Sequence, residues 1–417
     1  MKIDPKKLTL FLLFLTAFFN YADRYMLGIL IPDIKADMNL SDTQIGFMTG
    51  VAFTLFYATL GIPIARLADI YSRRKIISFA LGIWSLMTVL CGAAQNFVQL
   101  TIARVLVGVG EAGCTPPSQS IVSDTFQRNE RSKALSIVAL GSPVGLLLGF
   151  LLGGWITDLY GWRIALFAFG IPGIILAIFV FYFLKEPLRG ESDGSIDDGE
   201  RESFWKVFIF LLSKPTFRNC VLGQSVHGIV YLSLIGWLPS FFNRTHDLSI
   251  SEIGTWLAFV LGFSQLAGIY LGGVLGDRLG SKDPRWYLWI SGYTILIATP
   301  FYLIVFLWPT PQIAFFALTI PFFLSVMQAG PSYNVIQTIA GPKNRAVASA
   351  INILVINIIA GGIGPQVVGI LSDGFVNNYG DASLKYSLLV VSLICSIWAW
   401  VHFTLASKTV RDEIKVN

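Results

Sequence analysis

Four ionisable residues lie inside apolar stretches of the chain, where charged side chains are rare. Asp23 and Arg24 lie in one stretch near the N-terminus, and Arg104 and Glu111 lie in another. A charge at the centre of a lipid bilayer costs about 2.5–3.5 kcal/mol on insertion scales, so such residues usually pair and mark an ion or solute pathway. Asp23, Arg104 and Glu111 are therefore the candidate proton-coupling residues.

Helix geometry predicts that these side chains can meet if their two helices are neighbours. At about 1.5 Å of rise per residue, Asp23 lies roughly 10–12 Å and Arg104 roughly 9 Å below the same membrane face. Glu111 follows Arg104 by about two helical turns, so both project from nearly one face. Arg24 is rotated by about 100° from Asp23 and could face the protein interior or the lipid headgroups. A static network of buried ion pairs is the alternative to proton coupling.

The composition is that of an integral membrane protein. Of the 417 residues, 54% are hydrophobic and 13% are charged, and the mean hydropathy is +0.66, whereas soluble domains carry about 25% charged residues. Twelve segments have the ~20 apolar residues that cross a bilayer. They predict an all-α membrane protein with twelve transmembrane helices. The four cysteines show no metal or disulfide spacing and no ATP-binding motif occurs, so we expect no metal, no cofactor and no enzyme activity.

The distribution of basic residues predicts the orientation in the membrane. Cytoplasmic connections are enriched in Lys and Arg. Of the 30 basic residues, two lie within spans, and the predicted outer connections hold only Lys35, Arg163, Arg244 and Lys385. We therefore expect a multi-pass protein of the cell inner (plasma) membrane with both termini in the cytoplasm.

An internal repeat divides the chain into two halves. The segment 40–46 (LSDTQIG) matches 248–254 (LSISEIG), and 67–69 (LAD) matches 275–277 (LGD) at the same offset. Both copies begin with a helix-capping pattern. The predicted domains are an N-terminal six-helix bundle at 1–185, a cytoplasmic linker with an interfacial helix at 186–216, and a C-terminal six-helix bundle at 217–417. Parallel six-helix repeats of this kind resemble the plan of the major facilitator transporters, which implies two pseudo-symmetric bundles.

Motifs in both halves extend this resemblance. The segment 65–75 (ARLADIYSRRK) is similar to the facilitator signature G-x-L-a-D-r-x-G-r-[RK], with Ala65 and Ser72 in place of its glycines, and 273–282 is a closer copy. The resemblance implies a conformational latch formed by Asp69 with Arg73 or Arg74, and by Asp277 and Arg278 in the second copy; simple positive-inside anchoring is the alternative. The segment 104–110 (RVLVGVG) resembles the R-x-x-x-G-x-G motif linked to proton coupling in that superfamily.

Three further segments resemble the spinster branch of the facilitators. These are 20–24 (NYADR), 108–112 (GVGEA) and 276–287, which runs from GDR to DPRWY. Eukaryotic members of this branch export lysolipids and sphingosine-1-phosphate. The resemblance implies a prokaryotic relative of these transporters, but it does not identify the solute that this protein transports.

The sequence therefore predicts a proton-coupled secondary active transporter that works by alternating access. Its predicted solute is an amphiphilic or anionic organic molecule, for example one that resembles a lysophospholipid. A sugar-acid or organic-acid symporter and a non-transporting membrane solute sensor are the alternatives. The expected partners are the solute, protons and membrane lipid, without nucleic acid, and the expected state is a monomer. Candidate solute-binding residues are the polar side chains within spans, namely Asn20, Arg24, Gln119, His227, Asn334, Asn352 and Asn357.

Overall fold

The residues that the computed structural model describes, 4–188 and 204–415, form helices joined by short connections. For a few helical residues in these ranges, Asp69 among them, only the backbone is described. The part of the predicted linker at 189–203 lies outside the described residues. A linker helix, Phe204–Ser213, follows it at the place where the sequence predicts one.

The first six spanning helices, α1–α6, occupy the N-terminal half of the sequence. Three of them are interrupted, because α2 contains a π-helical turn and because α4 and α5 are each divided into two segments. Their bounds are Pro5–Met38 for α1; Asp42–Gly46, the π turn Phe47–Ala52 and Phe53–Ile70 for α2; Arg73–Ala93 for α3; Phe97–Glu111 and Thr115–Thr125 for α4; Arg128–Ala139 and Gly141–Tyr160 for α5; and Trp162–Phe183 for α6.

The remaining six, α7–α12, follow the linker helix. A glycine with a positive φ of 70°, Gly341, separates α10 from α11 inside an otherwise helical run. The bounds are Pro215–His246 for α7; Ile250–Gly280 for α8; Arg285–Ala298 and Phe301–Leu307 for α9; Pro311–Val326 and the part of Ala329–Ile356 before the kink for α10; the part after the kink, the π turn Asn357–Ile363 and Gly364–Tyr379 for α11; and Ser383–Lys415 for α12.

These lengths account for the predicted twelve spans. Within the described ranges, ten helical stretches are long and apolar enough to cross a membrane, and one of them, Val347–Ile414, contains both α11 and α12. Helix α1 adds a further 34 residues, well above the ~20 that a bilayer core requires. The all-α prediction is confirmed.

Each compact unit of the fold combines segments from different parts of the sequence. The first consists of the described residues of Met1–Leu40, Ala52–Asp198 and Leu248–Ala258, and the second of those of Ser41–Val51, Gly199–Asp247 and Phe259–Asn417. The boundaries at 185 and 216 predicted from the sequence stay a prediction.

Both repeat copies form the expected capping box. The Gln44 backbone N–H donates to the Ser41 hydroxyl, and the Ser41 N–H donates to the Gln44 side chain, at 3.1 and 2.9 Å. The same reciprocal pair joins Ser249 and Glu252 at 3.3 and 3.2 Å. These side chains satisfy backbone donors that a helix start leaves without partners.

Close packing of α1 against α5 fixes the part of α1 that carries Asp23. A Cβ atom at Gly145 would lie 2.8 Å from the Ala22 backbone nitrogen, and one at Gly149 would lie 2.9 Å from the Ala22 carbonyl oxygen. Glycine allows the two backbones this approach, as small residues do between membrane helices generally. These two glycines of α5 therefore allow close packing against the part of α1 that carries Asp23 and Arg24.

Candidate functional site

Two ion pairs are buried in the first unit, both between α1 and α4. Asp23 and Arg104 are 4% and 2% exposed, and the Arg104 Nη1 atom lies 3.5 Å from Asp23 Oδ2. This is the pair that the depth calculation predicted. Asp23 on α1 and Arg104 on α4 lie at a similar predicted depth, so that one helix supplies the carboxylate and the other the guanidinium.

The second pair joins Arg24 to Glu111. The Arg24 guanidinium donates from Nε and Nη2 to Glu111 Oε2, at 3.1 and 2.5 Å. The Glu111 side chain is fully buried, whereas that of Arg24 is 25% exposed. Arg24, whose direction the sequence left open, therefore points to α4 and not to the headgroups.

Aromatic rings of α1 and α2 surround both guanidinium groups. The Phe53 ring centroid lies 5.1 Å from the Arg24 guanidinium carbon and 5.2 Å from that of Arg104. Tyr57 and Tyr21 lie 4.8 and 5.8 Å from Arg24. All these distances are within the ~6 Å over which a cation is attracted to a ring face. Phe53 thus contacts both ion pairs at once.

The four charges add up to zero, which makes their burial tolerable. A buried ion pair repays its desolvation only with good geometry, and removal of one partner costs about 3–5 kcal/mol because it leaves a buried charge uncompensated. The arrangement is chemically a pair of carboxylates that can each exchange a cationic partner for a proton.

The second unit buries neutral polar groups at the comparable place in its spans. The Asn352 amide on α11 donates to Gln224 Oε1 on α7 at 3.0 Å, and the Gln265 amide donates to the Tyr231 hydroxyl at 3.0 Å. His227 is 3% exposed and lies on the same face of α7 as Gln224, three residues away. Among the described residues of this unit, Asp42 at the start of α2 is the one buried charged side chain.

The remaining predicted solute-binding residues are less closely grouped. Asn20 is buried one helical turn before Arg24, and Gln119 is exposed on α4. Asn334 accepts a hydrogen bond from Thr338 at 3.3 Å, and the Asn357 amide donates to the Ile353 carbonyl of its own helix at 2.9 Å. The last two are thus engaged within α10 and α11, respectively.

The predicted latch residues of the first copy have partners beyond the motif. Arg73 donates to Asp124, to Glu186 at 2.9 Å and to Ser120 at 2.8 Å. The Arg74 backbone N–H donates to Glu186 at 2.8 Å. Because the Asp69 side chain lies outside the described residues, its pairing with Arg73 or Arg74 stays a prediction.

Glu186 keeps its charge despite partial burial. Burial alone would raise the pKa of this carboxyl group, but hydrogen bonds from the Arg74 backbone, the Ser72 hydroxyl and Arg73 outweigh burial and hold the pKa below its usual value. The cluster is therefore an ionic one at neutral pH.

In the second copy the ionic contacts lie next to the motif. Asp277 and Arg278 are exposed. Asp283 instead accepts from Arg285 at 3.0 Å and from Arg411 of α12 at 2.5 Å. The hydrogen bond from Arg411 is the main reason that the pKa of Asp283 is lowered.

A further ionic cluster in the second unit was missed by the sequence reasoning. Arg244 at the end of α7 donates to both oxygens of Asp42 at 2.7 Å, and Ser372 donates to Asp42 at 2.6 Å. Asp373 accepts from the backbone N–H groups of Asp42 and Thr43 at 3.1 and 2.7 Å. The sequence feature that could have indicated this cluster is the acidic residue directly after the Ser41 cap. An acidic residue at that position is equally typical of a helix that begins in solvent.

Twelve spanning helices, a twofold sequence repeat and paired charges at membrane depth define the class of secondary transporters. Residues 13–365 match the family described as Major Facilitator Superfamily. The chain belongs to the major facilitator superfamily, as its motifs predicted.

Individual relatives agree with this assignment. The chain is 32% identical over 395 residues to an MFS-type efflux pump of Mycolicibacterium smegmatis, which covers 95% of this chain and 91% of the relative. It is 25% identical over 402 residues to protein spinster homolog 1 of Homo sapiens, with coverages of 90% and 76%. These matches confirm the resemblance to the spinster branch.

The solved structures give the same result. A bacterial homolog of the human lysosomal transporter Spinster, crystallised in an inward-facing and unoccupied conformation, superposes with a TM-score of 0.92 at 29% identity and covers 99% of both chains. The nucleoside transporter NupG superposes with a TM-score of 0.77 at 12% identity, which supports the fold alone. The predicted major facilitator fold is confirmed.

Proposed function

We propose that the protein is a proton-coupled secondary active transporter that moves an amphiphilic or anionic organic solute, of the lysophospholipid kind, by alternating access. The observation that carries the proposal is the double ion pair of the first unit, Asp23 with Arg104 and Arg24 with Glu111. Charged residues at this depth are kept in transporters for ion and solute pathways.

The coupling follows from the cost of an unpaired buried charge. While each carboxylate contacts its arginine, the pair is neutral as a whole and no proton is needed. When a change of conformation separates the two, the carboxylate must take up a proton or remain buried without compensation. Proton uptake and release then accompany the conformational cycle.

The relatives support the transport part of the proposal. The M. smegmatis relative is named an efflux pump, and a Haemophilus influenzae relative, 30% identical over 356 residues, is named a putative metabolite transport protein. We also propose that the protein is a monomer in the cell inner membrane, with both termini in the cytoplasm as the distribution of its basic residues predicts. The Asp69, Arg73 and Asp277 motifs then act as latches that close the cytoplasmic side.

The test uses purified protein in liposomes that contain a pH-sensitive dye. A lysophospholipid added outside should drive proton movement with the wild-type protein. Asp23→Asn and Glu111→Gln should each abolish it, because neither amide can release a proton. Asp247→Asn is the matched control, since Asp247 is an exposed carboxylate in a left-handed conformation that Asn also adopts. Wild-type proton movement in the first two variants would contradict the proposal.

An organic-acid symporter remains the second candidate, because a partly exposed arginine such as Arg24 is a suitable partner for a carboxylate. Thermal-shift measurements with lysophospholipids and with hexuronates separate the two solute classes. A protein that is stabilised by a solute and yet moves none of it in liposomes would be a sensor.

A further inference from the structure

Helices α2 and α8 each begin in one compact unit and continue in the other. The start of α2 belongs to the segment Ser41–Val51 of the second unit, and the helix continues from Ala52 in the first. The start of α8 belongs to the segment Leu248–Ala258 of the first unit, and that helix continues from Phe259 in the second. Each helix therefore starts in the unit that consists mainly of the other sequence half.

In the first unit, a carboxylate of α5 contacts the start of α8. The Ser251 backbone N–H donates to Asp158 Oδ2 at 3.0 Å. Gly154 lies one helical turn before Asp158 and lets the two backbones approach, because a Cβ atom there would lie 2.8 Å from the Ile250 carbonyl oxygen. A carboxylate at this place satisfies a backbone donor of the first turn and is attracted to the positive end of the helix dipole.

In the second unit, a carboxylate of α11 contacts the start of α2 in the same way. Asp373 accepts from the backbone N–H groups of Asp42 and Thr43 at 3.1 and 2.7 Å. Gly369 again lies one turn before the aspartate, and a Cβ atom there would overlap the Asp42 carbonyl oxygen. This contact has two hydrogen bonds, whereas the contact of α5 with α8 has one.

The two contacts come from matching sequence. Residues 154–158 (GWITD) and 369–373 (GILSD) each contain a glycine and an aspartate four positions apart. The helices that they contact are already capped from within by Ser41 and Ser249. An internal cap persists in every conformation of its helix, but an acceptor on another helix is present only while the two helices are adjacent. The aspartates therefore stabilise an arrangement of helices.

We propose that Asp158 and Asp373 form a pair of outer latches, which stabilise the state in which the predicted outer side of the transporter is closed. The inference rests on the proposed alternating access, in which one repeat rocks against the other. Because each contact joins helices of opposite sequence halves, opening of the outer side breaks both contacts. The solute path is then released on that side only when two helix starts lose their carboxylates.

The test is hydrogen–deuterium exchange of the full-length protein in lipid nanodiscs, measured by mass spectrometry over the helix starts at 41–51 and 248–258. Loss of a charge at a helix start predicts faster exchange, by about two- to fivefold for Asp158→Ala and by up to about thirtyfold for Asp373→Ala, which removes two hydrogen bonds. Each variant should speed exchange in both segments, because one closed state holds both contacts.

Conservative variants and a matched control complete the series. Asp158→Asn and Asp373→Asn keep an acceptor and lose only the charge, so they should have smaller effects in the same two segments. Asp381→Ala changes an exposed carboxylate in the connection after α11 and should change neither segment. Exchange in Arg285–Ala298 of α9, which takes part in neither contact, should stay at the wild-type rate and reports any loss of overall stability.

A purely local effect overturns the proposal. If each variant speeds exchange only in the segment that its own aspartate contacts, the two aspartates are independent helix caps. Should an alanine variant unfold, the asparagine variants decide between the same two results. Proton movement in liposomes tests the transport proposal separately, because the exchange experiment uses neither solute nor a proton gradient.

Discussion

The two units differ in the kind of polar side chain that they bury, although the sequence contains a twofold repeat. In the first unit, Asp23, Arg104, Arg24 and Glu111 form two ion pairs at membrane depth. In the second, Gln224 and Asn352 form an amide pair, with His227 on the same helix face. The repeat fixes helix lengths and caps in both halves, while the buried polar residues differ. We infer that proton handling belongs to the first unit and that the second supplies neutral hydrogen-bonding groups to the solute.

The largest effect should follow removal of a charge from the first unit. Glu111→Ala leaves Arg24 without its buried partner, so we expect the free energy of unfolding to fall by about 3–5 kcal/mol. Chemical denaturation in detergent micelles measures this. Glu111→Gln, which keeps the shape and a hydrogen-bond acceptor, is the control and should lose less.

A smaller effect is expected for the amide pair of the second unit. Asn352→Leu removes the donor to Gln224 and leaves one buried amide oxygen unsatisfied, which costs about 1–3 kcal/mol. Proton movement in liposomes should continue, whereas solute affinity should fall. If this variant abolishes proton movement, as Glu111→Gln is expected to do, the inference that proton handling belongs to the first unit is wrong.

The smallest effect concerns the loops, where the two units are alike. Both Glu186 and Asp283 have a pKa held below the usual value by arginine contacts. A carboxylate with a lowered pKa in the folded protein stabilises it above the unfolded pKa, and this stabilisation is lost as the pH falls towards the folded pKa. For Asp283 the loss begins below about pH 4, close to the ordinary aspartate pKa.

The measurement compares Asp283→Asn with the wild-type protein. The variant should have a lower unfolding temperature at pH 7, and the difference should shrink as the pH is lowered through the range below about 4. A difference that grows towards acid pH would show that Asp283 is not stabilised as an anion.

Much of the fold could be predicted because membrane helices are determined by local composition. Apolar length predicted the spans, and the Ser41 and Ser249 patterns predicted both caps. The contact of Asp23 with Arg104 could be predicted from their similar depth once the facilitator plan implied that the first and fourth helices are neighbours.

The remaining contacts depend on rotation and on distant residues. Arg24 could not be placed, since a turn of about 100° separates the interior from the lipid. Arg73 contacts Asp124 on α4 and Glu186 in the segment after α6, whereas its motif suggested a neighbour in sequence. Asp42 and Arg244 both lie at helix ends, where charged residues are usually solvated, so nothing local marked them as a buried pair.

The π-helical turn Phe47–Ala52 divides α2 between the two units, since the first unit begins its share of this helix at Ala52. A π turn contains one residue more than an α turn needs. If that residue were absorbed into regular α-helix, everything after it would rotate by about 100° relative to Asp42. Phe53 and Tyr57 follow the turn directly, so such a change of register would turn both rings away from the Arg24 guanidinium. A change of one residue in the register of this turn would therefore alter the surroundings of the buried charges without breaking the helix.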